Sequence, residues 1–266
     1  MRKYIMFFLS SILLVVLSGC GTEIHLTKDE DGLPYAEELV EKSSEQIESL
    51  KSFSVESKHT YRNPSVKEAD GSSYSTSKLD YVKEPFSMYE QHEMSDLEAQ
   101  TKEYVTEQYG VSTFRNGQWE LGPELEGYTS GLIESKKKYA DPYYDLKSLT
   151  IQDMQVDQKD KNYILTVTGT QHEESSHEGY HDAKTGKEYT LIVTIDRKSK
   201  LTYTINKKTL LPVELIKETE TTLDYSGDKK YSEVKVVHSY QDFNGVNEKK
   251  LLEGAYKASD PRFSEW

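Results

Sequence analysis

The segment HEESSHEGYHD, His172 to Asp182, places three of the chain's seven histidines among glutamates and an aspartate. Imidazole and carboxylate donors are what a tetrahedral zinc site draws on, so His172, His177 and His181 are the candidate ligands should the chain hold a metal. The spacing argues against a rigid site. Of the steps between these histidines, only the second brings two of them together on a helix, and Gly179 between them weakens a helix there. The alternative is a solvated hairpin loop, turned by DAKTGKE with Gly186, whose imidazoles titrate near neutral pH. No other cofactor is implied.

Reaction chemistry has little else to stand on. The chain contains no G-x-S-x-G elbow, no phosphate-cradling glycine loop, no H-E-x-x-H and no C-x-x-C. Adjacent acids such as Glu37-Glu38 and Glu173-Glu174 are of the type glycosidases use, but 46 acidic residues produce neighbours by chance. No catalytic residue is assigned, and the chain is expected not to be an enzyme. Its single cysteine, Cys20, points to a modification instead. It ends the stretch MRKYIMFFLSSILLVVLSGC, in which Arg2 and Lys3 precede an apolar run from Ile5 to Leu17 and then small residues. That is the layout of an export signal. The run is shorter than the roughly 20 residues that cross a bilayer comfortably. Leu17-Ser18-Gly19-Cys20 resembles the bacterial lipobox, which implies cleavage between Gly19 and Cys20 and a diacylglyceryl group on the Cys20 thiol, with fatty acids such as palmitate as the anchor. Two acyl chains hold a protein stably where one binds marginally. An acylated thiol is no longer a nucleophile, a disulfide partner or a metal ligand.

Loss of Arg2 and Lys3 with the leader takes the net charge from −13 to −15. Such a surface repels nucleic acid and anionic headgroups, so nucleic acid is excluded as a partner and the membrane is reached through the lipid anchor. The expected layout is a signal peptide over 1–19, the lipidated cysteine and a flexible tether over 20–33, one domain over 34–250 and a loose tail over 251–266. In the domain, Ala36, Leu39, Val40, Ile47 and Leu50 recur at helical spacing behind Pro34. Alternating strands follow around Phe53–Tyr61, Tyr74–Val82 and Phe86–Tyr89, and Asn116-Gly117 marks a tight hairpin before Trp119. Residues 125–149 read as two short helices broken at Asp141-Pro142. Strands then resume from Asn162 and from Glu188, followed by KLTYTINKKTLLPVELIKETETTLDYSG and KYSEVKVVHSYQDFNG. The 20 tyrosines suit half-buried sheet faces and amphipathic walls.

This order of elements, with LKSFSVES, KEPFSMYEQ, NGQWEL, YTINKKTLLPVELIKET and YSEVKVVHSYQDFNG in sequence, resembles the LolA-like and LppX-like lipoproteins. The Lys208-Thr209 and Leu211-Pro212 pairs fall in the turn between strands where that superfamily carries such pairs. The resemblance implies an α+β fold in which a curved antiparallel β-sheet, a half-barrel, packs a few helices on its concave face. It also implies a non-enzymatic protein on the extracytoplasmic face of the cell membrane that binds a lipid or lipoprotein acyl chain. The candidate cavity residues are Leu39, Ile47, Leu50, Phe53, Phe86, Met88, Trp119 and Tyr203. Two other readings stay open: a metal-binding or envelope-sensing lipoprotein working through His172–Asp182, and a module that docks on an envelope protein.

Overall fold

The computed structural model describes residues 24–63, 72–94, 99–123, 127–181 and 188–260. Helix α1 (Ala36–Ser49) is followed by strands β1 (Ser52–Arg62), β2 (Ser72–Val82), β3 (Ser87–Met94), β4 (Ala99–Thr106), β5 (Gly110–Arg115) and β6 (Gln118–Leu121). Helix α2 (Tyr128–Ala140) and a 3-10 turn (Tyr144–Ser148) lead to β7 (Thr150–Lys159), β8 (Asn162–His181), β9 (Glu188–Asn206), β10 (Pro212–Tyr225) and β11 (Asp228–Gln241). Helix α3 (Glu248–Ser259) closes the chain. No described helix is long and apolar enough to cross a membrane.

All eleven strands form one antiparallel sheet in the order β6-β5-β4-β3-β2-β1-β11-β10-β9-β8-β7. Two meanders are joined where β1 pairs with β11, so the consecutive strands β6 and β7 lie at opposite edges. The segment between them has to cross a face of the sheet. It carries α2 and the 3-10 turn over the concave face, and α1 lies beside them toward β7. The result is an α+β half-barrel with helices on its concave side. Turn chemistry fixes the strand register: Asn116 and Gly117 both take positive φ and close the β5–β6 hairpin, and Ser226-Gly227 does the same between β10 and β11.

Pairs that face each other across strands build the core on the concave face. Phe53, Tyr81 and Met88 join Val105 and Val111 in one row, while Leu165, Leu201, Tyr203 and Leu215 form the other half. Leu39 from α1 and Phe86 from the β2–β3 turn are fully buried against them. Removing each such side chain from water contributes about 1.5–3 kcal/mol.

The structure departs from the sequence reading at both ends of the domain. The presumed tether over 20–33 is partly organised: Ile24 and Leu26 pack against the core, and the Asp29 carboxylate accepts hydrogen bonds from the backbone of Asp31 and Leu33. Residues 251–260, expected as loose tail, belong mainly to α3. Asn247 caps this helix by accepting from the Lys250 amide, and Leu251, Ala255 and Ala258 are buried. The small residues were the missed signal, because they let α3 lie close on the outer face of β3–β6. There Gly254 sits directly over the Tyr104 hydroxyl, and Tyr104 is held by Tyr89 and Trp119 at ring distances of 4.8 and 5.4 Å.

A methyl group at residue 254 would collide with a ring packed against Tyr89 and Trp119. Gly254→Ala is therefore expected to destabilise the protein by about 1–3 kcal/mol, against the gain of up to ~1 kcal/mol that alanine gives an unobstructed helix. Urea unfolding of the two proteins measures this, and a more stable alanine variant would show that α3 does not rest on Tyr104.

Candidate functional site

The concave face is only partly roofed. Beneath α2 and the 3-10 turn, beyond the packed core, a cleft of about 530 Å³ opens between helix and sheet. Small-molecule sites span roughly 300–1,000 Å³. Its inner walls are apolar, formed by Val55, Leu79, Leu215 and Tyr240 of the sheet and Leu132, Ala140 and Pro142 of the roof. Toward the open side the floor becomes polar, with Ser57, Ser77, His59, His238 and Lys217, while Glu90 stands beside Leu79 on the flank.

Ion pairs set the height of the roof on both flanks. Lys136 of α2 reaches Glu90 on β3 at 2.9 Å and Glu103 on β4 at 2.8 Å, and Lys217 on β10 reaches Asp145 of the 3-10 turn at 2.8 Å. Burial works against the Lys136 ammonium, but the two glutamates outweigh it and hold its pKa above the usual lysine value. At the closed end the link is made by hydroxyl groups. Ser43 of α1 donates to the Leu210 carbonyl at 2.6 Å and shares a short hydrogen bond with the Tyr143 hydroxyl. Tyr143 stacks on Tyr203 at 5.0 Å, and the Tyr203 hydroxyl donates to the Pro142 carbonyl at 3.1 Å. Burial pushes both tyrosines well above the usual phenol range, so both remain protonated donors.

Two histidines occupy the cleft floor. His238 Nδ1 lies 2.7 Å from the Ser57 hydroxyl, and the His59 ring stands edge-on to it at 6.1 Å. Burial, then the neighbouring His59, with Lys217 adding to them and Asp145 opposing, brings His238 down to about 4. Burial, His92 and Lys217 lower His59 as well, with Glu90 opposing. Both imidazoles are neutral in the empty cleft at neutral pH.

The residues singled out in the sequence fall in several places. Leu39, Leu50, Phe53, Phe86, Met88 and Tyr203 are all buried in the filled core, Ile47 packs at its edge, and none of them lines the cleft. Trp119 is on the other face of the sheet: its ring meets Phe114 and Tyr104, because the alternation of β6 turns it outward under α3. The cleft residues were missed because serine and histidine on a strand read as solvent-facing. The histidine-rich segment is not a loop. Residues 172–181 continue β8, paired through to His181 with Glu188 of β9. The partner run EYTLIVTID is rich in β-formers and carries a segment of poor intrinsic β-propensity with it. His172 is taken up by Asp196, at 2.7 Å, which raises its pKa first through that hydrogen bond and then through the aspartate's charge. The side chains of His177 and His181, and the turn with Gly186, lie outside the described residues, as do Gly19 and Cys20. Among the described residues no group of three or more His, Cys, Asp or Glu gathers as a metal site.

A wider trough of about 780 Å³ lies on the outer face of the sheet. Its charges neutralise one another across strands, Arg62 with Glu233 at 3.6 Å and Lys235 with Glu218 at 2.9 Å, and no roof shields it from water. The roofed cleft is the better site.

The imidazoles give the cleft a signature in acid. A histidine whose folded pKa is depressed favours the folded state fully above its unfolded value near 6.5, and that stability is lost as pH falls toward about 4, because the unfolded chain takes the proton first. The loss attributable to His238 is on the order of 3 kcal/mol, and His59 adds in the same direction. His238→Gln is expected to flatten this acid limb, read as urea-unfolding free energies at neutral pH and near pH 4.5. An unchanged limb would place the acid sensitivity elsewhere.

Comparison with known proteins adds a family. No curated protein matches the sequence. Among solved structures, a LolA superfamily protein from Nitrosomonas europaea is similar, at 12% identity over 81% of this chain and 96% of that one, with a TM-score of 0.29. A family model matches residues 35–251, from the start of α1 to the first turn of α3. On that match the chain belongs to the family of unknown function DUF6612.

Proposed function

We propose that this chain is a non-enzymatic lipoprotein, anchored through Cys20 on the extracytoplasmic face of the cell membrane, that shelters an apolar or amphipathic ligand such as a lipid acyl chain in its half-barrel cleft. The observation that carries the reading is the cleft itself: a roofed space of about 530 Å³ on the sheet's helix-bearing face, apolar at the inner end and polar at the mouth. A space with that gradient suits a molecule with one greasy and one wet end, since burying apolar surface drives binding and a few polar groups orient it. The leader supports the location. A signal-like run ending in Leu17-Ser18-Gly19-Cys20 delivers a lipid-modified chain to a membrane surface. A strongly acidic domain has no electrostatic attraction of its own for that surface.

The core contacts described lie within residues 24–260, so the chain from Gly21 onward is the unit for work in solution. Purified without detergent or chelator and weighed by native mass spectrometry, it is expected to carry added mass matching a fatty acid or phospholipid. Ser77→Trp, which places an indole on the cleft floor, is expected to lose that mass while keeping its far-ultraviolet circular dichroism. A bare wild-type protein that stays bare after incubation with membrane lipids would refute the carrier role, and increments of zinc mass would redirect attention to the histidine strand.

A further inference from the structure

Strand register lays the cleft floor out in rows. The innermost runs Glu90, Leu79, Val55 and Tyr240 and is apolar apart from Glu90 at its β3 end; the next runs Ser77, Ser57, His238 and Leu215; the outermost runs His59, Val236 and Lys217. A chain lying along the rows has its hydrocarbon on the first and its head on the second and third. The head therefore meets the Ser57 hydroxyl and two imidazoles.

The charges around those imidazoles are incomplete. Glu90 and Glu103 share the single ammonium of Lys136, Asp145 is paired with Lys217, and Asp141 with Lys147 at 2.9 Å. Among the described residues neither His59 nor His238 has a carboxylate within ion-pair distance. The groups facing them are His92 and Glu90 of β3, Lys136 of α2, Asp141, Tyr144 and Asp145 of the roof, Lys217 of β10 and Tyr240 of β11. The carboxylates of this set are turned to lysines or the roof backbone, so Glu90 and Asp145 act on the imidazoles only from a distance and a proton on either ring has no carboxylate in direct contact. An incoming anion would supply that contact, and charge-assisted hydrogen bonds in a half-buried site are stronger than neutral ones.

We propose that Ser57, His59 and His238 form the head-group subsite of the cleft, taking the acidic head of a single-chain amphiphile, a carboxylate or phosphate monoester, together with a proton that settles on the imidazoles. The proposal rests on the carrier reading of the same cleft and goes further by naming the head. It is a binding step without bond cleavage: one proton moves from solvent to an imidazole nitrogen, and the bound complex gains no net charge from a singly charged head. Burial and the neighbouring cations keep both rings neutral in the empty cleft. An anion beside Ser57 opposes both effects. A site whose protonation is favoured by its ligand binds that ligand more tightly as pH falls.

The test uses the chain from Gly21 and two probes of equal tail: decanesulfonate, anionic throughout the range, and decyl maltoside, which is neutral. Isothermal titration near pH 7.5 and near pH 5 is expected to show decanesulfonate tightening by about tenfold in acid, the gain of one proton-linked interaction of about 1.4 kcal/mol, with decyl maltoside almost unchanged. His59→Gln and His238→Gln are each expected to remove part of the acid response of decanesulfonate, and the double variant all of it. Circular dichroism at both pH values shows that the fold is intact. Parallel titrations with decanoate and decyl phosphate then name the source, the tighter of the two marking a carboxylate or a phosphate head. If decyl maltoside binds but decanesulfonate shows no steeper pH response, or if the double variant keeps that response, the head-group assignment is wrong and the cleft stands. If neither probe binds at either pH, the carrier reading falls with it.

Discussion

The structure depends on one topological constraint: the strands at the two edges of the sheet, β6 and β7, follow each other in sequence. The chain between them has to travel the width of the sheet, and a backbone crossing an apolar face satisfies its own hydrogen bonds best as helix. That crossing is α2 and the 3-10 turn. It cannot lie flat on the floor everywhere, because its end is fixed where Tyr143 stacks on Tyr203 and shares a hydrogen bond with Ser43. Its middle is fixed by Lys136 standing on Glu90 and Glu103. A bridge supported at its end and flank leaves a space beneath its span, and the cleft is that space.

The two faces of the same sheet solve the burial problem differently. On the concave side large residues of both halves of the sheet, with Leu39 of α1 and Ile133 of α2, fill the core, while the face stays open where Ser57, Ser77, His59 and His238 lie beneath the roof. On the outer side α3 packs closely on β3–β6, because Gly254 and Ala255 allow it to sit directly on Tyr104. The close fit has a measurable sign in Tyr104, whose phenol is pushed up to about 12, first by burial and then by Tyr89 and Asp80.

Much of this was legible in the sequence, for reasons that can be traced to particular residues. The α1 stripe, the Asn116-Gly117 turn and the break at Asp141-Pro142 are local signals, set by side-chain period, positive φ and the geometry before proline. What could not be read locally was decided by pairing or by the opposite layer. HEESSHEGYH is a strand because of its partner on β9, and EKKLLEGAYKAS is an anchored helix because of a tyrosine more than a hundred residues earlier. Of the candidate cavity residues, taken as inward-facing apolar positions, all but Trp119 fill the core or pack at its edge. Trp119, chosen on the same basis, faces the other layer. The rule that large apolar residues mark a cavity fails here because such residues fill space.

The cleft is defined by small and polar side chains on a face that is otherwise apolar. Along β1 the inward residues run Phe53, Val55, Ser57, His59, and on β11 the run is Tyr240, His238, Val236. Side-chain volume on β1 falls from the aromatic end to serine before it rises again at histidine, so the floor recedes from the roof where the polar groups begin. Placing imidazoles there disfavours their charged form and weakens the fold in acid, a cost that a floor of valine and leucine would avoid. That floor would also fill the space and remove the polar end. A sequence selected for stability alone would have packed this row. The serines and histidines at these positions are the main support for the proposed ligand site beneath α2.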